Sequence, residues 1–221
     1  MTDSALELRS VAAWLARRAS GSAAAAFPVD SGRAGEHIAA MSRADAEDIR
    51  ASLKGDGDAY ARLVVRYQDE VARGMWRFTR DRAELEELVQ DVFVEAYFSL
   101  SSYRAEGPFS HWLARIATRV GYRFWKRRSR KAAAKSLTAA DVEAAASPAN
   151  VDPGRAGELL DRLLGGLAPR DRLVLTLLYL EERSVAETAE LTGWSETMVK
   201  VQAHRARKRL KALIERARPE E

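Results

Sequence analysis

Residues 184–213, SVAETAELTGWSETMVKVQAHRARKRLKAL, contain two helix patterns joined by a turn. Ser184 followed three residues later by Glu187 is a capping-box signature: the serine oxygen accepts from the N3 amide, and the glutamate reaches back to the cap amide. A short helix is expected over residues 185–191, packing through Val185, Ala186, Ala189 and Leu191. Gly193 supplies the left-handed residue that helix ends favour, and Ser195 is the next N-cap, so a longer helix begins at Glu196. On that helix Val199, Ala203, Ala206, Leu210 and Leu213 recur at three- and four-residue spacing as one apolar stripe. The rest of its surface carries Thr197, Met198, Lys200, Val201, His204, Arg205, Arg207, Lys208, Arg209 and Lys211. A short capped helix, a glycine turn and a basic helix make a helix-turn-helix reader of duplex DNA. The alternative is an ordinary amphipathic hairpin with solvated cations; the turn chemistry and the density of positive charge favour DNA.

Several function classes fall away on composition. The chain has 221 residues, no cysteine and a formal net charge of +4. A disulfide framework, a thiolate zinc site and a cysteine nucleophile are therefore impossible. His37, His111 and His204 lie far apart, with no metal-ligand spacing among them. No apolar run approaches the length that spans a bilayer, and the opening MTDSALELRS is acidic where a secretory signal is basic. A cytoplasmic protein without membrane insertion is expected.

Residues 1–45 are alanine-rich. Leu6, Leu8, Val11, Trp14 and Leu15 allow a short amphipathic helix, followed by turn residues without period, so a flexible or partly helical extension is expected. From Ala44 the pattern is helical, with Ala51, Leu53, Tyr60, Leu63, Val64 and Tyr67 as packing positions. Gly55, Asp56, Gly57 and Asp58 interrupt it. They lack the other ligands of a calcium loop and read as a turn, with Asp56 or Asp58 capping the next helix. Residues 84–100 are strongly amphipathic: Leu85, Leu88, Val89, Val92, Phe93, Ala96, Tyr97 and Leu100 keep one stripe, and Glu84, Glu87, Asp91 and Glu95 occupy another face. With no histidine and no phosphate-binding glycine loop beside them, these carboxylates read as an exposed docking face rather than a catalytic site.

Residues 101–108 (SSYRAEGP) form a loop by composition, and helix returns over 109–125. Phe109, Trp112, Leu113, Ile116, Ala117, Val120 and Phe124 take one side; Arg115, Thr118, Arg119, Tyr122 and Arg123 take the other. From Tyr103 to Lys131 nine arginines and lysines face Glu106 alone, a charge pattern suited to a phosphate backbone, with aromatic rings nearby that can stack on unpaired bases. Residues 132–156 are rich in alanine, serine and proline, as in an interdomain linker. Leu159, Leu160, Leu163, Leu164 and Leu167 open a second domain. Pro169 suits the first turn of a helix running to Tyr179.

In this order the segments resemble the extracytoplasmic-function (group IV) sigma factors of bacterial RNA polymerase, of the sigma-70 family, over about 160 residues (55–213). ELVQDVFVEAYFSL is similar to that family's segment for the polymerase β′ clamp, YRAEGPFSHWLARIATR to its −10 loop and helix, and residues 167–210 to its −35 helix-turn-helix. The resemblance implies polymerase contacts at Leu88, Gln90, Asp91 and Glu95. It implies −10 contacts at Arg104, Glu106, Gly107, Arg115, Thr118, Arg119 and Arg123. For the −35 element it implies Thr197, Lys200, Val201, His204 and Arg205 in the groove, with Ser195, Arg207 and Lys208 near phosphates. Two departures stand out. Arg119 stands where the family often has asparagine, and the frequent GTVKSRL becomes TMVKVQA, with Thr197 and Gln202 replacing glycine and arginine. Nothing in the family's usual pattern corresponds to residues 1–45.

The expected fold is all-α: a sigma region 2-like bundle over 46–131 and a region 4-like domain over 157–217, joined by the flexible linker. The implied partners are core RNA polymerase (β′ clamp and β flap), promoter DNA and an anti-sigma factor. No cofactor and no catalytic activity are expected. A one-component regulator is the first rival, and it leaves the acidic helix and the basic stripe without a role. A metal-dependent nuclease using Glu84, Glu87 and Asp91 is the second, and it lacks further ligands.

Overall fold

The structure, a computed structural model, describes residues 34–134 and 163–216. The helix expected around Leu6–Leu15, residues 135–156 of the expected linker, and the start of the second domain at 157–162 lie outside the described residues. Among the described residues there is no strand. Two compact units part between Val120 and Gly121.

The first unit holds α1 (Ala34–Ser52), α2 (Gly57–Met75), α3 (Arg82–Ser99) with a 3-10 turn (Leu100–Ser102), and the first half of α4 (Phe109–Ala134). Gly55, at φ 94°, makes the turn between α1 and α2, and Asp56 caps α2 by accepting from the Ala59 amide at 3.0 Å. Asp81 does the same for α3 at the Glu84 amide (2.9 Å), so α3 begins two residues before the expected start. The core is Tyr60, Leu63, Val64, Tyr67, Met75, Leu88, Val92, Phe93, Leu113, Ile116 and Val120, all buried. Tyr60 donates to the Phe93 carbonyl at 2.5 Å and meets the Tyr97 ring edge-on at 5.0 Å, fixing α2 against α3.

The boundary expected at residue 45 falls inside α1. Asp45 and Asp48 are buried there against α2. Arg66 spans both carboxylates, at 2.5 Å to Asp45 and 2.8 Å to Asp48; Arg62 adds a 2.8 Å pair with Asp48, and Tyr67 donates to Asp45 at 2.5 Å. Burial, and then the bond to Asp45, push the Tyr67 phenol well above its ordinary range, so it stays a donor.

In the second unit α5 (Pro169–Leu175) starts on a proline at its first helical position, where the missing N–H costs nothing. It continues through a π turn (Thr176–Leu180), so the helix expected to reach Tyr179 does so with a wider last turn. The capping box of Ser184 and Glu187 opens α6 (Val185–Thr192), with both of its hydrogen bonds formed. Gly193 ends that helix at φ 72°. After Ser195 comes α7 (Glu196–Arg216). Leu164, Leu167, Val174, Leu175, Val199, Ala203 and Ala206 form the core, with Val185, Ala189, Trp194, Leu210 and Leu213 packed around it. Ala186, expected to pack, is exposed, and Thr188 is the buried residue of α6. The inward face of this short helix follows Val185, Thr188 and Ala189, and Ala186 is about 100° away from Val185.

Candidate nucleic-acid interface

Three small buried residues decide what α7 offers to solvent. Val199, Ala203 and Ala206 seat the helix closely on α5, and its opposite face is left clear. Thr197, Lys200, Val201, His204, Arg205, Arg207 and Lys208 are all exposed, as is the cap residue Ser195. Ser195 accepts from the Met198 amide at 3.2 Å, which sets the angle at which the helix starts. Lys200 pairs with Glu196 at 3.8 Å; both side chains are well exposed, so the pair is weak and a phosphate can displace it.

Two polar residues of α7 are tied to α5 instead. Gln202 is buried and donates to Asp171 of α5, whose other carboxylate oxygen accepts from Arg209 at 2.5 Å. Asp171 is 0% exposed. This network joins α7 to α5 and takes Arg209 out of the set of unengaged cations. The sequence held a signal for it: Gln202 lies three residues after Val199, at the border of the apolar stripe.

The first unit presents two surfaces. On α3, Glu87, Asp91, Val94 and Phe98 are exposed at spacings of four, three and four residues, hence on one side of the helix. Val94 and Phe98 were hidden in sequence, because apolar letters in an amphipathic helix read as core; at 62% exposed, Phe98 is not. Gln90 is half-buried beside this face. The ends of the acidic row are engaged elsewhere: Glu84 accepts from the Thr79 hydroxyl at 2.5 Å, and Glu95 lies 3.7 Å from Arg119. Leu88 does not reach the surface. It is 2% exposed in the core between helices, so the polymerase contact expected of it is corrected to a packing role.

The second surface is the loop at residues 103–108 and the helix after it. Tyr103 donates its hydroxyl to the Gly107 carbonyl at 2.7 Å, closing the loop on itself. The Tyr103 ring stands on Phe109 at 5.4 Å and Trp112 at 5.6 Å, so an aromatic base supports an exposed tip. Arg104, Glu106 and Gly107 form that tip, with Arg104 and Glu106 4.0 Å apart. Ala105 holds a left-handed φ of 56°, sparsely populated for a residue with a Cβ. On α4 Arg115 and Arg119 are exposed; Arg123, on the part of α4 that belongs to the second unit, is exposed too. Thr118 is not: at 2% exposed, it donates to the Ala114 carbonyl at 2.9 Å. Its expected place on the DNA face is corrected, since the hydroxyl is satisfied by its own helix and the methyl is buried.

Among the described residues no group of three or more His, Asp or Glu side chains could hold a metal ion. No helix among them is long and apolar enough to cross a membrane.

Comparison with known proteins identifies two family regions in the chain. Residues 63–131 match the model for sigma-70 region 2, and residues 157–210 match the model for sigma-70, region 4. The chain is similar to the RNA polymerase sigma factor CnrH of Cupriavidus metallidurans, 31% identical over 188 residues that cover 79% of this chain and 97% of the relative. It is 34% identical to the ECF RNA polymerase sigma factor SigF of Caulobacter vibrioides, over 75% of this chain and 89% of that one. Among solved structures it is similar to CnrH in complex with the cytosolic domain of CnrY, at 26% identity and a TM-score of 0.47 over 78% of this chain and 97% of that one. Both sigma regions occur in one chain, in order, which a one-component regulator does not explain. The chain thus belongs to the extracytoplasmic-function sigma factors of the sigma-70 family and is an alternative sigma factor that binds core RNA polymerase and promoter DNA to direct transcription initiation.

Proposed function

We propose that the outer face of α3 docks on the β′ clamp of core polymerase through Gln90 and Asp91, with Val94 and Phe98 completing an apolar and acidic patch. The loop at 103–108 then captures an unpaired −10 base while Arg115, Arg119 and Arg123 follow the strand. Extruding a base costs a few kcal/mol of stacking, which a preformed pocket offsets; the closed Tyr103–Gly107 loop supports such a pocket. The second unit meets the β flap, and α7 reads the −35 duplex with Thr197, Lys200, Val201, His204 and Arg205, with Ser195, Arg207 and Lys208 on phosphates. The observation that carries this assignment is the clear α7 face opposite Val199, Ala203 and Ala206.

The protein acts by binding alone, with no catalytic chemistry of its own, in the cytoplasm where core polymerase works. Its relative CnrH is found in complex with the cytosolic domain of CnrY. An anti-sigma partner of this chain that covers the exposed faces of both units fits the same pattern.

Transcription reconstituted with core polymerase on a promoter library tests the assignment. Wild type should select two spaced elements. Lys200→Ala and Arg205→Ala should each lose about 1–3 kcal/mol of binding, with relaxed choice at one upstream position. Transcription indifferent to the upstream element would refute the assignment of α7.

A further inference from the structure

We propose that Arg170 is a further contact to the DNA backbone, carried on α5 outside the recognition helix and held at that helix's flank by Trp194. The inference rests on the assignment of α7 to duplex reading. Arg170 is exposed, immediately after Pro169 at the start of α5. Its guanidinium stands 4.9 Å from the centre of the Trp194 ring, and its Nη2 lies 3.9 Å from the Met198 sulfur. Trp194 precedes the cap of α7, and Met198 belongs to its first turn.

No carboxylate among the described residues engages Arg170. Arg205, Arg207 and Lys208 of α7 share that state, whereas Arg209 is bonded to Asp171, Arg183 pairs with Glu181 and Glu187, Lys200 with Glu196 and Lys211 with Glu215. A thioether is a weak acceptor and satisfies little of a guanidinium. With the cation over the indole face, the N–H donors other than the one on Met198 have no protein acceptor among the described residues. Those donors form the fork that binds a phosphate through two parallel hydrogen bonds.

Position selects phosphate over base. Residues seven apart on a helix lie within about 20° of each other around the axis. Met198, on which Arg170 rests, is half-buried and lies on the packed side of the Arg205 line, so Arg170 stands outside the base-reading face. A helix seated in the major groove meets base edges along its centre and the sugar-phosphate strands along its borders. The carrier is also fixed in register: the adjacent Asp171 is fully buried and bonded to both Gln202 and Arg209 of α7. Two helices thus present one continuous surface, with Arg170 as its part outside α7.

The test uses the full chain bound to core polymerase, on the promoter duplex selected above and on the same duplex with a scrambled upstream element, across a salt series. Arg170→Ala should weaken binding to both duplexes alike, roughly three- to tenfold. The slope of log affinity against log salt should fall by about 0.9, the value of one phosphate contact. Arg170→Lys should keep the wild-type slope and recover part of the affinity, since it retains the charge but not the stacked fork. Ethylation of one phosphate beside the −35 element should impair wild type and leave Arg170→Ala unaffected. Thermal melts of the free variants should match wild type, separating lost contact from lost fold. Selective binding by wild type with an unaltered slope and affinity in Arg170→Ala would overturn the Arg170 contact alone. A loss tied to the identity of one base pair would also overturn it, in favour of base reading. If wild type itself ignored the upstream sequence, the assignment of α7 would fail and this contact with it.

Discussion

The acidic face of α3 and the basic face of α7 look alike in sequence, each a row of charges opposite an apolar stripe, yet the fold treats them differently. The α7 helix packs through three small residues on one side, so its cations project freely and only Gln202 and Arg209 are drawn in. The α3 helix has buried neighbours along more of its circumference, and its acidic row is consumed from both ends by Thr79 and Arg119. What remains exposed on α3 is a mixture of Glu87, Asp91, Val94 and Phe98. A charge row read from sequence thus survives as a surface in proportion to how little of its helix is packed.

The largest effect that sharpens this contrast separates two residues three apart on α3. Leu88→Ala removes a side chain that is 2% exposed, and should cost the first unit about 2–5 kcal/mol. Asp91→Lys should leave the melting curve nearly unchanged and weaken core polymerase binding by more than about tenfold, at about 1.4 kcal/mol per decade. Urea titration and a pull-down series measure the two quantities. Equal loss of stability in both variants would mean that Asp91 is structural and that the docking face lies elsewhere.

Next in size is the network that ties α7 to its support. Asp171→Ala leaves the buried Gln202 amide without its acceptor, while Arg209, at 59% exposed, can turn to water. The expected cost is about 1–3 kcal/mol, most of it from the stranded amide. Asp171→Asn keeps an acceptor for Gln202 and should cost less. Binding selectivity should fall with stability in Asp171→Ala, because the recognition helix loses its register on α5. If selectivity held while stability fell, the network would serve the fold alone.

How much was legible in the sequence follows from the same packing logic. The capping box, the Gly193 turn and the stripe of α7 were readable because each is local, set by residues within a few positions of one another. The Asp171–Gln202 bond joins positions 31 residues apart; the local pattern sets Gln202 at the border of the stripe but does not name its partner. Thr118 misled for a different reason. Flanked by Ile116, Ala117 and Val120, it buries its methyl and satisfies its hydroxyl on the carbonyl four residues back, so a polar letter marked no exposed face. Leu88 belonged to the apolar stripe by period and to the polymerase contact by resemblance; burial shows the period to have been the sounder guide. In α1 the alanine-rich composition up to residue 45 suggested a flexible or partly helical extension, while Asp45 and Asp48 find their cations only through contact with α2.

The smallest effects concern the entry to the helix-turn-helix, and they test whether the second unit is set as locally as its sequence implies. Ser184→Ala should cost about 0.5–2 kcal/mol, since it strands the Glu187 amide at the start of α6. Its partner gives a finer measurement. The bond from the Ser184 backbone amide holds the Glu187 carboxyl below its ordinary value of 4.5, helped by the Ser184 hydroxyl and by Arg183. A carboxyl whose folded pKa is depressed contributes stability that is fully present above the unfolded pKa and lost as pH falls through the folded one. The contribution should therefore be intact above about pH 5 and fade as the solution is acidified below 4.5. Glu187→Gln keeps a neutral acceptor for the same amide, as the capping box permits. The remaining carboxylates are common to the two proteins, so the difference between their melting curves reports the Glu187 charge. Wild type should lose stability more steeply than Glu187→Gln below that point and run parallel to it above. Curves parallel across the whole range would show that the cap works through its hydrogen bonds alone, with no part for the charge.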